Sequence, residues 1–206
     1  MSNDLFSEQY GAELFIDIAL PDASVRLYPA LFASEQADTL MTQLSSDIVW
    51  TQDKMTVYGR EHDLPRLTAW YGDAGVQYTY SGISAVANPW IEPLLIIKRR
   101  IEEATDSSFN SVLLNRYRTG ADGMGWHSDD EPELGRNPVI ASVSLGQDRS
   151  FHLKHKTLEG VRENIRLEHG SLLLMSGETQ HHWLHQVPKS RRHMNERINL
   201  TFRTIK

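Results

Sequence analysis

From Ser111 onward the hydrophobic positions of this chain fall in short runs punctuated by turn-forming residues, and before it two stretches repeat them at helical spacing. SVLLNRYR, VIASVSLG, RSFHLKHK, NIRLEHG, SLLLMSG, HHWLHQVP and RINLTFRTI each read as a strand. Many short strands in succession predict a sandwich or barrel of jelly-roll type, mainly β with flanking α-helices. Upstream, Ser34 is placed to cap a helix through EQADTLMTQL, where Ala37, Leu40, Met41 and Leu44 recur at helical spacing. A second helix starts near Asn88-Pro89 or restarts at Pro93, with Leu94, Ile97, Ile101 and Ala104 on one face. Between the helices, KMTVYGR, RLTAWYG and VQYTYSG, with GDAG as a turn, read as a pair of hairpins. Residues 1–25 read as an irregular acidic arm.

The terminal run RINLTFR carries the sharpest pattern. Strand parity puts Arg197, Asn199, Thr201 and Arg203 on one face and Ile198, Leu200 and Phe202 on the other. The apolar face must pack. The polar face meets either solvent or a polar pocket, where two guanidiniums suit a ligand with two carboxylates.

GWHSDDEPEL raises a second question. His127 and Asp129 share parity, so on an extended backbone both point one way, and a distant third ligand is available in His181, His182 or His185. Two imidazoles and one carboxylate form a facial triad that leaves open positions on ferrous iron. The same set also holds catalytic zinc. A diacid clamp separates the two, since zinc hydrolysis leaves Arg197 and Arg203 without a role.

Composition narrows the chemistry further. Cysteine is absent, which excludes disulfides, thiolate metal sites and cysteine nucleophiles. The N-terminus has neither a basic nor an apolar leader region, and no run reaches the roughly 18 apolar residues of a membrane span, so an intracellular protein is expected, cytoplasmic if bacterial. The net charge of -6 argues against a polyanionic partner, but its distribution does not. Residues 1–53 hold nine acids against one base, Arg26, and the bases bunch at Lys98-Arg99-Arg100 and between Lys189 and Lys206.

Taken together, NRYRTGADGMGWHSDDEPELGRNPVIASVSLG, HGSLLLMSGETQHHWLHQVP and RINLTFR resemble the AlkB family of Fe(II)/2-oxoglutarate-dependent dioxygenases, most closely its DNA-dealkylating, double-strand-acting branch. The similarity spans about Val57 to Ile205, including VYGREHDLPR and WYGDAGVQYTYSG. It implies a double-stranded β-helix with a nucleotide-recognition lid of hairpins. One domain is then expected over 26–206, with lid 54–82 and core 110–206. It implies His127, Asp129 and His185 as iron ligands, with His181 and His182 as neighbours. Asn115, Tyr117, Arg197, Asn199, Thr201 and Arg203 match the 2-oxoglutarate pocket, Arg197 at the distal carboxylate and Arg203 with Asn115 nearer the metal.

The implied reaction is oxidative demethylation of 1-methyladenine or 3-methylcytosine in DNA, using O2 and converting 2-oxoglutarate to succinate. A base in a duplex reaches a buried metal only when flipped out or single-stranded. Tyr78 and Tyr80 share a face, and the resemblance assigns Tyr80 to stacking on the base. It assigns Tyr58, Gly59 and Arg60 to the turn that wedges into the duplex, places Ser81 beside Tyr80, and puts Asp130 and Glu131 at the lesion base. Trp126 is expected as a wall residue, core more than contact. The same chemistry on RNA, protein or a small molecule, or a non-catalytic metal-stabilised module, are the competing readings. Alkylated DNA acted on by a monomer is the expected partnership.

Overall fold

The computed structural model describes residues 14–57, 59–80 and 83–206. The elements in chain order are β1 (Ile16–Ile18), β2 (Ser24–Tyr28), α1 (Ser34–Asp47), β3 (Lys54–Val57), β4 (Arg60–Asp63), β5 (Leu67–Gly72), β6 (Gln77–Tyr80), β7 (Ile83–Val86), β8 (Asn88–Pro89) and α2 (Glu92–Thr105). They continue with β9 (Ser111–Tyr117), β10 (Met124–His127), β11 (Ile140–Gly146), β12 (Arg149–His155), β13 (Arg162–Leu167), β14 (Leu172–Ser176), α3 (Thr179–His182), β15 (Trp183–Val187) and β16 (Arg197–Arg203).

Two sheets oppose each other. The larger runs β1-β2-β14-β11-β16-β9-β5-β8, and the smaller runs β10-β15-β12-β13. The strands β14, β11, β16 and β9 of one and all four of the other make the jelly roll. One apolar cluster fills the space between the sheets, with Leu113, Ile140 and Leu173 from the larger and Leu153, Leu167 and Trp183 from the smaller. A second cluster lies on the outer face of the larger sheet. There Ala37, Leu40 and Leu44 of α1 and Leu94, Ile97 and Ile101 of α2 meet Ile198, Leu200 and Phe202 of β16. Each such aliphatic side chain gains about 1.5–3 kcal/mol on full burial. The layers are therefore helices, large sheet and small sheet.

β16 sits between β11 and β9, paired to β9 over its whole length and to β11 from Arg197 to Phe202. With helices on one face and the small sheet on the other, all seven of its residues are buried. The polar set Arg197, Asn199, Thr201 and Arg203 is thereby turned into the interior rather than to solvent. That outcome makes the terminal strand the floor of a polar site.

Four expectations change. From Ile16 the stretch expected as irregular arm is strand: β1 pairs with β2, and β2 adds to β14, because the edge of the large sheet would otherwise present unpaired backbone groups. Ser34 is the first helical residue of α1; Ala33 is the cap, with no side-chain hydrogen bond. Asn88-Pro89 does not start a helix but pairs in parallel with β5, and α2 begins at Glu92 with Pro93 in its first turn, where the missing N–H costs nothing. The two hairpins are β3–β4 and β6–β7, while RLTAWYG supplies β5, a strand of the large sheet paired with β9.

Candidate metal and diacid site

β10 and β15 run antiparallel, and their register sets His127 directly opposite His185. The two rings lie 4.2 Å apart at 65°. Asp129 follows two residues past the end of β10, and one ligand atom from each of the three residues lies within 4.8 Å of the others. The protonation pattern suits a cation. His127 Nδ1 is 2.8 Å from the carbonyl oxygen of Gly125, which only accepts, so Nδ1 carries the proton. In that tautomer the ring's lone pair is on Nε2, 3.8 Å from Asp129 Oδ1. His185 stacks on Phe151 at 5.2 Å. Burial, reinforced by His127, pushes its pKa down to about 3, so it is neutral. Burial pushes the Asp129 carboxyl up, but the charge and hydrogen bond of the Arg203 guanidinium outweigh it, and it is held down to about 2. Two imidazoles and an ionised carboxylate are the donor set that divalent iron takes.

The cavity beside this triad is lined by Asn115, Tyr117, Asn199, Thr201 and Arg203 among others. Arg203 Nη2 donates to Asp129 Oδ2 at 2.9 Å, which places it at the metal end. Asn115 Oδ1 accepts from Arg66 Nε at 2.7 Å, so its NH2 group is turned to donate elsewhere. Asn199 donates to Ser142 Oγ and the Val143 carbonyl, and accepts from Thr201. Arg197 does not line the cavity. Its guanidinium lies 5.3 Å from the ring centroid of Tyr117, which does, and Nη2 donates to Ser144 Oγ. Nε and Nη1 of Arg197 are buried without a hydrogen-bond partner. Burial lowers its pKa to about 10, which leaves it cationic at neutral pH. A buried charge with two idle donors calls for an anion, and a dicarboxylate reaching from the metal supplies one.

The residues assigned to nucleic acid are less concentrated. Gly59, with φ 74, and the exposed Arg60 lie at the β3–β4 connection, and Tyr58 and Ser81 lie outside the described residues. Tyr78 and Tyr80 are on β6, paired with Ala85 and Ile83 of β7. Asp130 accepts from Ser128 Oγ and from Lys156 Nζ. Glu131 holds a buried, unpartnered Oε2. None of Gly59, Arg60, Asp130 and Glu131 lines the cavity. Trp126 is not core: it is 37% exposed, with Lys154 Nζ 4.5 Å from its ring centroid. The parity that turns His127 inward turns Trp126 out.

Several lining residues escaped the sequence reading, among them Leu113, Ser142, Phe151 and Met175. Leu113 was available from its parity with Asn115 and Tyr117. The others depend on which strands face each other.

His182 takes part in a second cluster, with Asp22 and His155. His155 Nδ1 accepts from the backbone N–H groups of Thr157 and Leu158, at 3.2 and 2.9 Å. The ring proton therefore sits on Nε2, 3.4 Å from Asp22 Oδ2, and offers a metal no lone pair. His181 bonds to Asn137. Of the three candidate histidines, His185 alone joins His127 and Asp129.

Comparison with known proteins gives the geometry a context. The 2OG-Fe(II) oxygenase superfamily pattern matches residues 24–203. The chain is 44% identical over 192 residues to the alpha-ketoglutarate-dependent dioxygenase alkB homolog 3 of Homo sapiens, covering 88% of this chain and 66% of that protein, just under two thirds of its length. It is 42% identical over 188 residues to the DNA oxidative demethylase ALKBH2 of Mus musculus, covering 86% and 79%. The solved structure of OsALKBH1 superposes with a TM-score of 0.65 at 17% identity, covering 93% of this chain and all of that one, a likeness of fold.

Proposed function

Because the chain belongs to the 2OG-Fe(II) oxygenase superfamily, we propose that it is a dioxygenase that removes alkyl groups from the ring nitrogens of DNA bases, with His127, Asp129 and His185 as its iron ligands. The observation that carries the reading is the meeting, in one site, of a two-histidine, one-carboxylate set with the buried polar face of β16. A hydrolytic zinc centre would leave the buried Arg197 guanidinium without an anion to hold. Substrate follows from the relatives named for DNA demethylation.

When bound, Fe(II) with 2-oxoglutarate and O2 supplies the oxidising chemistry: the cosubstrate leaves as succinate and CO2, and the N-alkyl carbon is hydroxylated and lost as an aldehyde. The chain's own residues bind, orient and exclude water. Arg197 takes the distal carboxylate, with Tyr117 beside it, Asn115, turned by Arg66, and Arg203 serve the metal end, and Asn199 and Thr201 complete the pocket lining. Burial of the polar face strengthens each of these contacts. Tyr78 and Tyr80 of β6 are assigned to the flipped base, where stacking is worth about 1–3 kcal/mol per base. Tyr58, Gly59 and Arg60 are assigned to the vacated duplex, with Ser81, Asp130 and Glu131 around the lesion.

In this reading the catalytic domain expected over 26–206 also takes in β1 and the start of β2, which extend its large sheet, and the protein acts as a monomer. The recognition lid within 54–82 is carried by the hairpin strands, since β5 belongs to the large sheet. Among the described residues no helix is long and apolar enough to cross a membrane.

The test is anaerobic reconstitution with Fe(II) and 2-oxoglutarate, then O2 and matched DNA and RNA oligonucleotides bearing 1-methyladenine. Restored adenine and succinate in equal amounts are expected on DNA. Turnover confined to RNA moves the substrate, and no substrate-stimulated succinate at any metal loading ends the proposal.

A further inference from the structure

The first two proposed ligands are not equally held by the fold. β10 ends at His127, so the backbone N–H of Asp129 has no strand partner, and the residue is only 3% exposed. A buried donor left unmade costs about 1–3 kcal/mol. Gln180 supplies the acceptor: its Oε1 lies 2.9 Å from the Asp129 nitrogen. The amide orientation is forced, because the opposite flip would aim NH2 at an N–H. The NH2 group instead faces Met175 Sδ at 3.6 Å.

Gln180 lies on α3, one turn before His185. That turn is itself anchored. Thr179 Oγ1 donates to the Ser176 carbonyl and accepts from the Ser24 N–H. Lys156 Nζ donates both to the Gln180 carbonyl at 2.8 Å and to Asp130 at 3.2 Å. The segment bearing His185 is thus strapped to the segment bearing Asp129 by a side chain that touches neither the cavity nor solvent, Gln180 being 1% exposed.

We propose that Gln180 is a positioning residue of the metal centre: it fixes the Asp129 backbone, so that the carboxylate meets Arg203 and the other two ligands at a set spacing. The inference rests on the assignment of His127, Asp129 and His185 as ligands. Arg203 orients the carboxylate from its side-chain end, and Gln180 removes the freedom that remains in the backbone beneath it. Groups in this position are commonly worth about 10- to 100-fold in metal affinity.

The full chain is titrated anaerobically with Co(II) in the presence of 2-oxoglutarate, by calorimetry and by the ligand-field absorption of the bound ion. Gln180→Leu and the shorter Gln180→Asn are expected to weaken Co(II) binding by about 10- to 100-fold and to change the absorption bands. Gln180→Glu keeps an acceptor at the same reach and is expected to restore most of the affinity. Wild-type affinity and spectrum in both Gln180→Leu and Gln180→Asn overturn the inference while leaving the ligand assignment intact. A folded wild-type protein that binds no Co(II) overturns both.

Discussion

Asp129 and Arg203, 74 positions apart, meet in a buried ion pair at 2.9 Å, with side chains each 5% exposed. The pair joins the proposed iron ligand to the last strand of the fold. Breaking it by removing one partner strands a charge in the interior.

Arg203→Met is therefore expected to cost the metal-free protein about 3–5 kcal/mol. A divalent ion beside Asp129 replaces part of the lost positive charge, so the deficit shrinks when the protein is saturated with Mn(II). Urea denaturation of both proteins with and without Mn(II) checks this. An equal deficit in the two conditions contradicts it.

Asp129→Ala removes a ligand without touching the hairpin strands β3–β4 and β6–β7. Succinate formation is expected to fall to background while a methylated oligonucleotide binds with near wild-type affinity, measured by fluorescence anisotropy. Loss of both activity and DNA binding in a variant whose circular dichroism shows the wild-type fold contradicts the separation of the two sites.

Arg197→Lys keeps the charge but not the planar fork. Losing one charge-assisted hydrogen bond is worth about 1.5–3 kcal/mol, so the KM for 2-oxoglutarate should rise roughly 10- to 100-fold, with a smaller change in kcat. A KM unchanged in steady-state succinate assays removes Arg197 from the diacid clamp.

The turn leading into β10 adds a pH dependence. Burial pushes the Asp122 carboxyl up, but hydrogen bonds and charge from Arg118 outweigh it and hold it below the usual carboxylate range. A lowered folded pKa contributes stability that is present above the unfolded value, about 4, and is lost as pH falls through the folded one. Arg118 is 46% exposed, so screening limits the ion pair to roughly 1 kcal/mol or less. Asp122→Asn should be less stable than wild type in urea at neutral pH, and the gap should close below about pH 4.

Local patterning determined a good deal. Short runs bounded by turn residues marked β9, β11, β12, β14 and β16 within a residue or two, and helical spacing marked α1 and the buried face of α2. Parity paired His127 with Asp129 and gathered Arg197, Asn199, Thr201 and Arg203 on one face. These hold because a strand's side chains alternate whatever the strand packs against. What the periodicity left open was where those faces point. Solvent and pocket were equal choices for β16 until its place between β11 and β9, with α1 and α2 behind it, closed off the solvent. Periodicity did not choose among His181, His182 and His185; the resemblance implied His185, the β10–β15 register sets it opposite His127, and Gln180 required the return of α3 to the end of β10. Each is a contact between segments far apart in the chain, set by how two sheets stack and not by any residue's neighbours in sequence.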